Sequence, residues 1–206
     1  MPKFPEPPSA LTIPAMTMVI PKGSTLFRIY FGGGQHPGTW NGFRFWGPTA
    51  SRFDHQLPPK GQSSRGILYA AWGDHAVQTC LAEVFQASRV IDRNANSPWL
   101  VGFETTRDLV LLDLTGQWPT RAGASMAIST GQRPRAQRWS QRIYAGYGYI
   151  DGIGYGSSMN GNHPSLALYE RALTAMPNLP LMHRALSDGG LTSRLATAAN
   201  ALNYRL

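Results

Sequence analysis

Three kinds of side chain that can bind an anion or steady a developing charge stand far apart in the chain. Residues 25–31 alternate as a strand does, with Leu26, Arg28 and Tyr30 on one face and Phe27, Ile29 and Phe31 on the other. The second face is purely apolar and is expected in the core. On the first, a guanidinium beside a phenol can grip an anion and stack on a ring; a surface strand with its arginine in solvent has the same pattern. Glu83 lies at the edge of a helical stripe of Val77, Leu81, Val84 and Phe85, on the flank of Ala76, Cys80 and Ala87. A carboxylate among small, apolar neighbours is seldom an ordinary solvated side chain, and those neighbours leave room for something to sit against it. The alternative is a boundary carboxylate satisfied by an arginine or a backbone amide. Ser157 and Ser158 close a run with glycines at 152, 154 and 156, which let a ligand approach the backbone. The two hydroxyls can donate to that ligand or simply form a turn. The run falls short of a dinucleotide fingerprint, because Ser157 takes the place of the third glycine and no crossover with a later acidic residue follows. There is no Gly-x-Ser-x-Gly elbow, so a Ser-His-Asp hydrolase has no support.

The elements that must position these residues follow from the pattern around them. Residues 67–71 read as a short buried strand, Gly73 as a turn, and the next segment as a helix whose first amides Asp74 caps. Residues 17–20 form a first strand and 21–24 a turn. From 35 to 64 the chain is rich in Gly, Pro, His and aromatics with little periodicity, a long loop of the sort that often carries function. Within it, Ser51-Arg52-Phe53-Asp54 reads as a short ordered piece with Arg52 aimed at a ligand. Residues 99–105 and 109–114 are strands joined by a turn and expected to pair as a hairpin. Residues 116–130 are irregular. Pro134 sits in the first turn of a helix that runs to Tyr147 and carries Arg135, Arg138 and Arg142, with Arg133 just before it, beside Trp139, Ile143 and Tyr144. That pattern describes an amphipathic helix with a solvated basic face, or a nucleic-acid surface. Residues 149–155 form a strand, Pro164 opens a helix to Met176, and residues 192–204 form the last helix. Strands and helices mix without regular alternation, which favours an α+β fold over a doubly wound sheet.

The length of 206 residues suits one domain, here 21–206, preceded by a Pro-rich lead-in over 1–20. No apolar run is long enough to cross a membrane, and the N-terminus has no signal-peptide core, so a cytoplasmic location is expected. The single cysteine, Cys80, rules out an internal disulfide and any Cys-rich zinc site, and the five scattered histidines predict no structural metal. A net charge of +8, with arginine in excess of lysine, points to nucleic acid, a small phosphorylated ligand or an acidic protein partner.

The ordered trio of an early-strand Arg, a central-helix Glu and a late Ser resembles the RES-domain family, which is named for those residues and includes toxins of RES–Xre toxin–antitoxin systems. The matching pieces are Leu26-Phe27-Arg28-Ile29-Tyr30, Ser51-Arg52-Phe53-Asp54, Ile67-Leu68-Tyr69-Ala70-Ala71 leading to Leu81-Ala82-Glu83-Val84-Phe85, Leu111-Leu112-Asp113-Leu114, and Asp151 through Ser158. The family often has Arg-Trp-Asn where this chain has Arg52-Phe53-Asp54. The resemblance implies a single-domain, mixed-sheet fold like that of the ADP-ribosyltransferase toxins, with NAD+ as substrate rather than cofactor. Nicotinamide would be released and ADP-ribose passed to water, phosphate or a protein. In that scheme Glu83 stabilises the positive charge that develops on the ribose. Arg28 clamps the pyrophosphate with help from Arg52. Tyr69 and Tyr30 wall off the nicotinamide or ribose, and Ser157 holds the amide or the sugar. No metal and no tightly held cofactor is implied. A separate Xre-type antitoxin protein covering the site is, and self-association is left open.

Overall fold

The computed structural model describes residues 3–206. The strands are β1 (Thr17–Ile20), β2 (Thr25–Phe31), β3 (Arg44–Gly47), β4 (Gly61–Trp72), β5 (Pro98–Glu104), β6 (Leu109–Asp113), β7 (Gly152–Gly156), β8 (Pro164–Tyr169) and β9 (Met182–Ala185). They form one nine-stranded sheet in the order β1-β6-β7-β8-β4-β2-β5-β9, with β3 paired to β4. Only β6 and β7 run parallel; the other pairings are antiparallel. The helices are α1 (Ala76–Val84), α2 (Trp118–Arg121), α3 (Ala127–Thr130), α4 (Arg133–Gly146) and α5 (Thr192–Leu202). The chain is thus a mixed α+β single domain. Among the described residues no helix is long and apolar enough to cross a membrane.

Both faces of the sheet's centre are covered. Phe53, Trp118, Trp139, Ile143 and Ile153 pack as one cluster that includes α4. Leu26, Tyr30, Leu68 and Phe103 make a second. Ile29, Cys80, Leu81, Phe85 and Leu195 make a third, under α1 and α5. Strands buried on both faces lose the in/out alternation that identifies them in sequence, and this accounts for one correction. Residues 164–169 are not a helix but the strand β8, wholly buried beyond Pro164 and laid between β4 and β7. Residues 170–175 then make a short 3-10 helix. The face of β2 that bears Leu26 and Tyr30 is buried like its apolar opposite, with Leu26 fully inaccessible.

Strands β5 and β6 are consecutive but do not pair. β5 lies between β2 and β9, while β6 lies between β1 and β7. The turn between them is anchored elsewhere: Arg107 donates two hydrogen bonds to the Asp151 carboxylate, at 2.7 and 2.8 Å, and a third to the carbonyl of Arg171. The irregular stretch 116–130 contains α2 and α3, and the long loop contains β3 and the start of β4. The lead-in is extended and packed: Phe4 is buried against α4, Trp139 Nε1 donates to the carbonyl of Pro5, and Tyr147 donates to that of Ile13.

His55 is fully buried between the rings of Tyr144 and Tyr169, with Nε2 3.7 Å from Glu170. Burial pulls the His55 pKa below its ordinary 6.5. Burial opposes the Glu170 charge too, but contacts from His55, Tyr144 and the Gly66 amide outweigh it and hold the group at about 2. In both cases the unfolded chain takes up a proton at a pH where the folded chain does not. Stability therefore falls as pH drops from about 6.5 towards about 2. The melting temperature is expected to decline steadily between pH 7 and pH 3, and Glu170→Gln should flatten the lower part of that decline.

Candidate active site

Glu83 occupies the last turn of α1, a helix packed on β2 and β4. Asp74 does not cap it. The helix starts one residue later, with His75 as N-cap and no side-chain cap bond, and the Ala76 amide donates instead to the carbonyl of Gly73. The Glu83 carboxylate accepts a hydrogen bond from Ser157 Oγ at 2.5 Å. Ser157 is fully buried just beyond β7, and its hydroxyl also accepts from the Met159 amide at 3.2 Å. Two residues that are 74 apart in sequence are thereby joined. Gly152 of β7 is required by packing: a Cβ there would lie 2.3 Å from the carbonyl oxygen of Ala167 on β8.

Arg52 approaches the pair from the long loop. Its guanidinium donates to the carbonyl of Gly131 at 2.5 Å. Burial lowers its pKa, the like charge of Arg133 lowers it further, and Glu83, Tyr155 and Tyr69 act the other way. Two guanidiniums, one carboxylate and two phenols therefore share one electrostatic neighbourhood. The Tyr69 hydroxyl is buried with no hydrogen-bond partner among the described residues, and burial raises its pKa. Tyr155 is buried, packs on Phe53 with ring centroids 4.6 Å apart, and has its pKa raised by burial and by Glu83. Arg133 donates to Gln86 Oε1 and Gln86 donates to the carbonyl of Glu83, which ties the second guanidinium to the end of α1.

The loop that carries Arg52 is pinned at several points. Asp54, fully buried, accepts from Arg44 Nη2 at 2.8 Å, from the amide and hydroxyl of Thr49 at 2.7 and 2.9 Å, and from the Gln56 amide at 3.1 Å. From α4, Gln137 donates to the carbonyls of Thr49 and Ser51, Ser140 to that of Phe53, and Gln141 to that of Gln56. A helix face that looks polar in sequence is thus buried against loop backbone whose carbonyls need donors.

Arg28 and Tyr30 form a separate group. The guanidinium lies 5.9 Å from the Tyr30 ring and donates through Nη1 to the carbonyls of Trp40 and Gly42. Its Nε is buried without a partner among the described residues, and burial lowers its pKa to about 10, so it stays charged at neutral pH. Tyr30 Oη lies 2.7 Å from His183 Nε2. No hydrogen bond joins Arg28 to Glu83 or Ser157 among the described residues. The structure therefore brings Glu83, Ser157, Arg52 and Tyr69 together, and places Arg28 with Tyr30 beside a different loop. Of the basic side chains on α4, Arg135 and Arg138 both bind the Glu6 carboxylate rather than facing outward together. Among the described residues no group of three His, Cys, Asp or Glu is placed to hold a metal ion.

The family model described as the RES domain matches residues 25–187. No curated protein matches the chain. Among solved structures, a chain of the M. tuberculosis MbcT–MbcA toxin–antitoxin complex shares the fold, with a TM-score of 0.53 and 18% identity over 80% of this chain and 85% of that one.

Proposed function

The chain belongs to the RES-domain family, and from that premise we propose that it is an NAD+-consuming toxin that cleaves the nicotinamide–ribose bond. The observation that carries this reading is the Glu83 carboxylate, held by Ser157 at 2.5 Å within electrostatic reach of Arg52. An anion faces the sugar and cations face its phosphates. When the C1′–N bond breaks, its electron pair leaves with neutral nicotinamide, and positive charge spreads over C1′ and the ring oxygen. Glu83 stabilises that charge as it forms. A ribose hydroxyl can bind the other oxygen of the Glu83 carboxylate while Ser157 holds the first, and the serine oxygen stands close enough to meet the sugar or the nicotinamide amide. Arg52, with Arg133 behind it, fits the diphosphate through bidentate contacts. Tyr69 closes the nicotinamide side with its ring. Arg28, which donates to the carbonyls of Trp40 and Gly42, and Tyr30, bound to His183, lie apart from this group and are given no contact with NAD+ in this reading. Water attacking C1′ gives ADP-ribose and a proton; phosphate attacking gives the phosphorylated sugar.

In this reading the partner is a second protein that covers the site, and the net charge of +8 favours an acidic one. The test is incubation of the purified protein with NAD+, with and without phosphate, and identification of the products by mass. Nicotinamide with ADP-ribose or its phosphate is the expected outcome. Intact NAD+ under both conditions overturns the proposal.

A further inference from the structure

Four contacts join α1 and its N-cap to the loop between β7 and β8, and three of them, four residues apart on the helix, run in antiparallel order. The rings of His75 and His163 lie against each other, centroids 4.0 Å apart and planes tilted by 32°. Thr79 Oγ1 accepts from Asn160 Nδ2 at 2.9 Å. Glu83 accepts from Ser157 at 2.5 Å. Residues 75, 79 and 83 recur every four positions and so share one face of the helix. Thr79 and Asn160 are buried, and Gln78 Nε2 donates to Asn160 Oδ1 at 3.1 Å, which fixes the orientation of the amide. The loop is rigid in itself. The Ser157 amide donates to the carbonyl of His163, the Asn162 amide to that of Ser157, and the His163 amide to that of Asn160. Gly161 and Asn162 take the left-handed backbone conformation that so tight a turn requires. Such a loop moves as a unit, and a buried polar pair at its middle decides where its first residue, Ser157, lies relative to Glu83.

We propose that Asn160 and Thr79 are positioning residues. Their buried hydrogen bond is the latch that sets Ser157 against Glu83, and without it the carboxylate swings away from the reacting sugar. The inference rests on the NAD+-cleaving reading for its kinetic consequence but not for its structural one. Asn160→Ala and the near-isosteric Thr79→Val should each lower kcat for nicotinamide release about tenfold or more with KM nearly unchanged. Thr79→Ser, which keeps the hydroxyl, should restore the rate, and the double variant should be no slower than either single one. Wild-type kcat in Asn160→Ala, or Thr79→Ser as slow as Thr79→Val, overturns the latch. Amide hydrogen exchange provides the activity-independent arm. In Thr79→Val the segments 76–84 and 157–163 should exchange faster together, with the rest of the sheet unchanged. If neither segment changes, the latch is refuted even when the wild-type protein leaves NAD+ intact. If both do while NAD+ stays intact, the latch stands and the activity assignment falls.

Discussion

Glu83→Gln is expected to lower nicotinamide release from NAD+ by about a hundredfold or more, with the melting temperature within a few degrees of wild type. The amide keeps the size of the carboxylate and can still accept from Ser157 Oγ, so the contact that seats the end of α1 on the β7–β8 loop survives. What disappears is the negative charge. A unit charge about 4 Å from a developing cation in a partly screened site is worth about 4 kcal/mol, and every 1.4 kcal/mol lost is about tenfold in rate. Full turnover by Glu83→Gln would show that another group carries the charge stabilisation. Circular dichroism of the variant separates loss of chemistry from loss of fold.

Asp54→Ala should destabilise the protein by about 3 kcal/mol, because it removes a fully buried carboxylate that accepts from several donors at once. Four donors lose their partner at once: Arg44 Nη2, both polar groups of Thr49 and the Gln56 amide. The loop from 49 to 56 then keeps its bonds to α4 and those of Gln56 and His55 to β3 and β4, but loses the anchor nearest Arg52. KM for NAD+ should rise while kcat falls less. Asp54→Asn keeps two lone pairs on one oxygen and should cost about 1 kcal/mol. Urea denaturation measures the stability and steady-state kinetics the rest. An Asp54→Ala protein as stable as wild type would mean that the remaining bonds order the loop without the carboxylate.

The parts of the fold with a clean period were legible in the sequence. β1, β2 and α5 lie at the expected positions, and α4 starts with Pro134 in its first turn, as the fixed φ of proline favours. The Glu83–Ser157 partnership was approachable only through resemblance, since nothing local to either residue names the other. β8 was misread because a short run such as Leu-Ala-Leu-Tyr, buried on both sides, has no period that distinguishes strand from helix. The hairpin failed because pairing is decided by what else competes for an edge. β5 finds seven partners along β2, and the turn beyond it is pulled over to Asp151. The polar side of α4 could not be recognised as buried, because its donors serve carbonyls of a loop some ninety residues earlier. Asn160 and Thr79 carry no signal of their own; only the four-residue recurrence of 75, 79 and 83 hints that one helix face is in use.

The strand order also governs when the reactive arrangement can exist during synthesis. β4 is flanked by β2, made earlier, and by β8, made about a hundred residues later, and β8 is what brings β7 into the sheet. Contacts of such sequence separation form slowly and only after both ends are available. On the ribosome, then, the carboxylate of α1 waits without its serine until Tyr169 has cleared the exit tunnel.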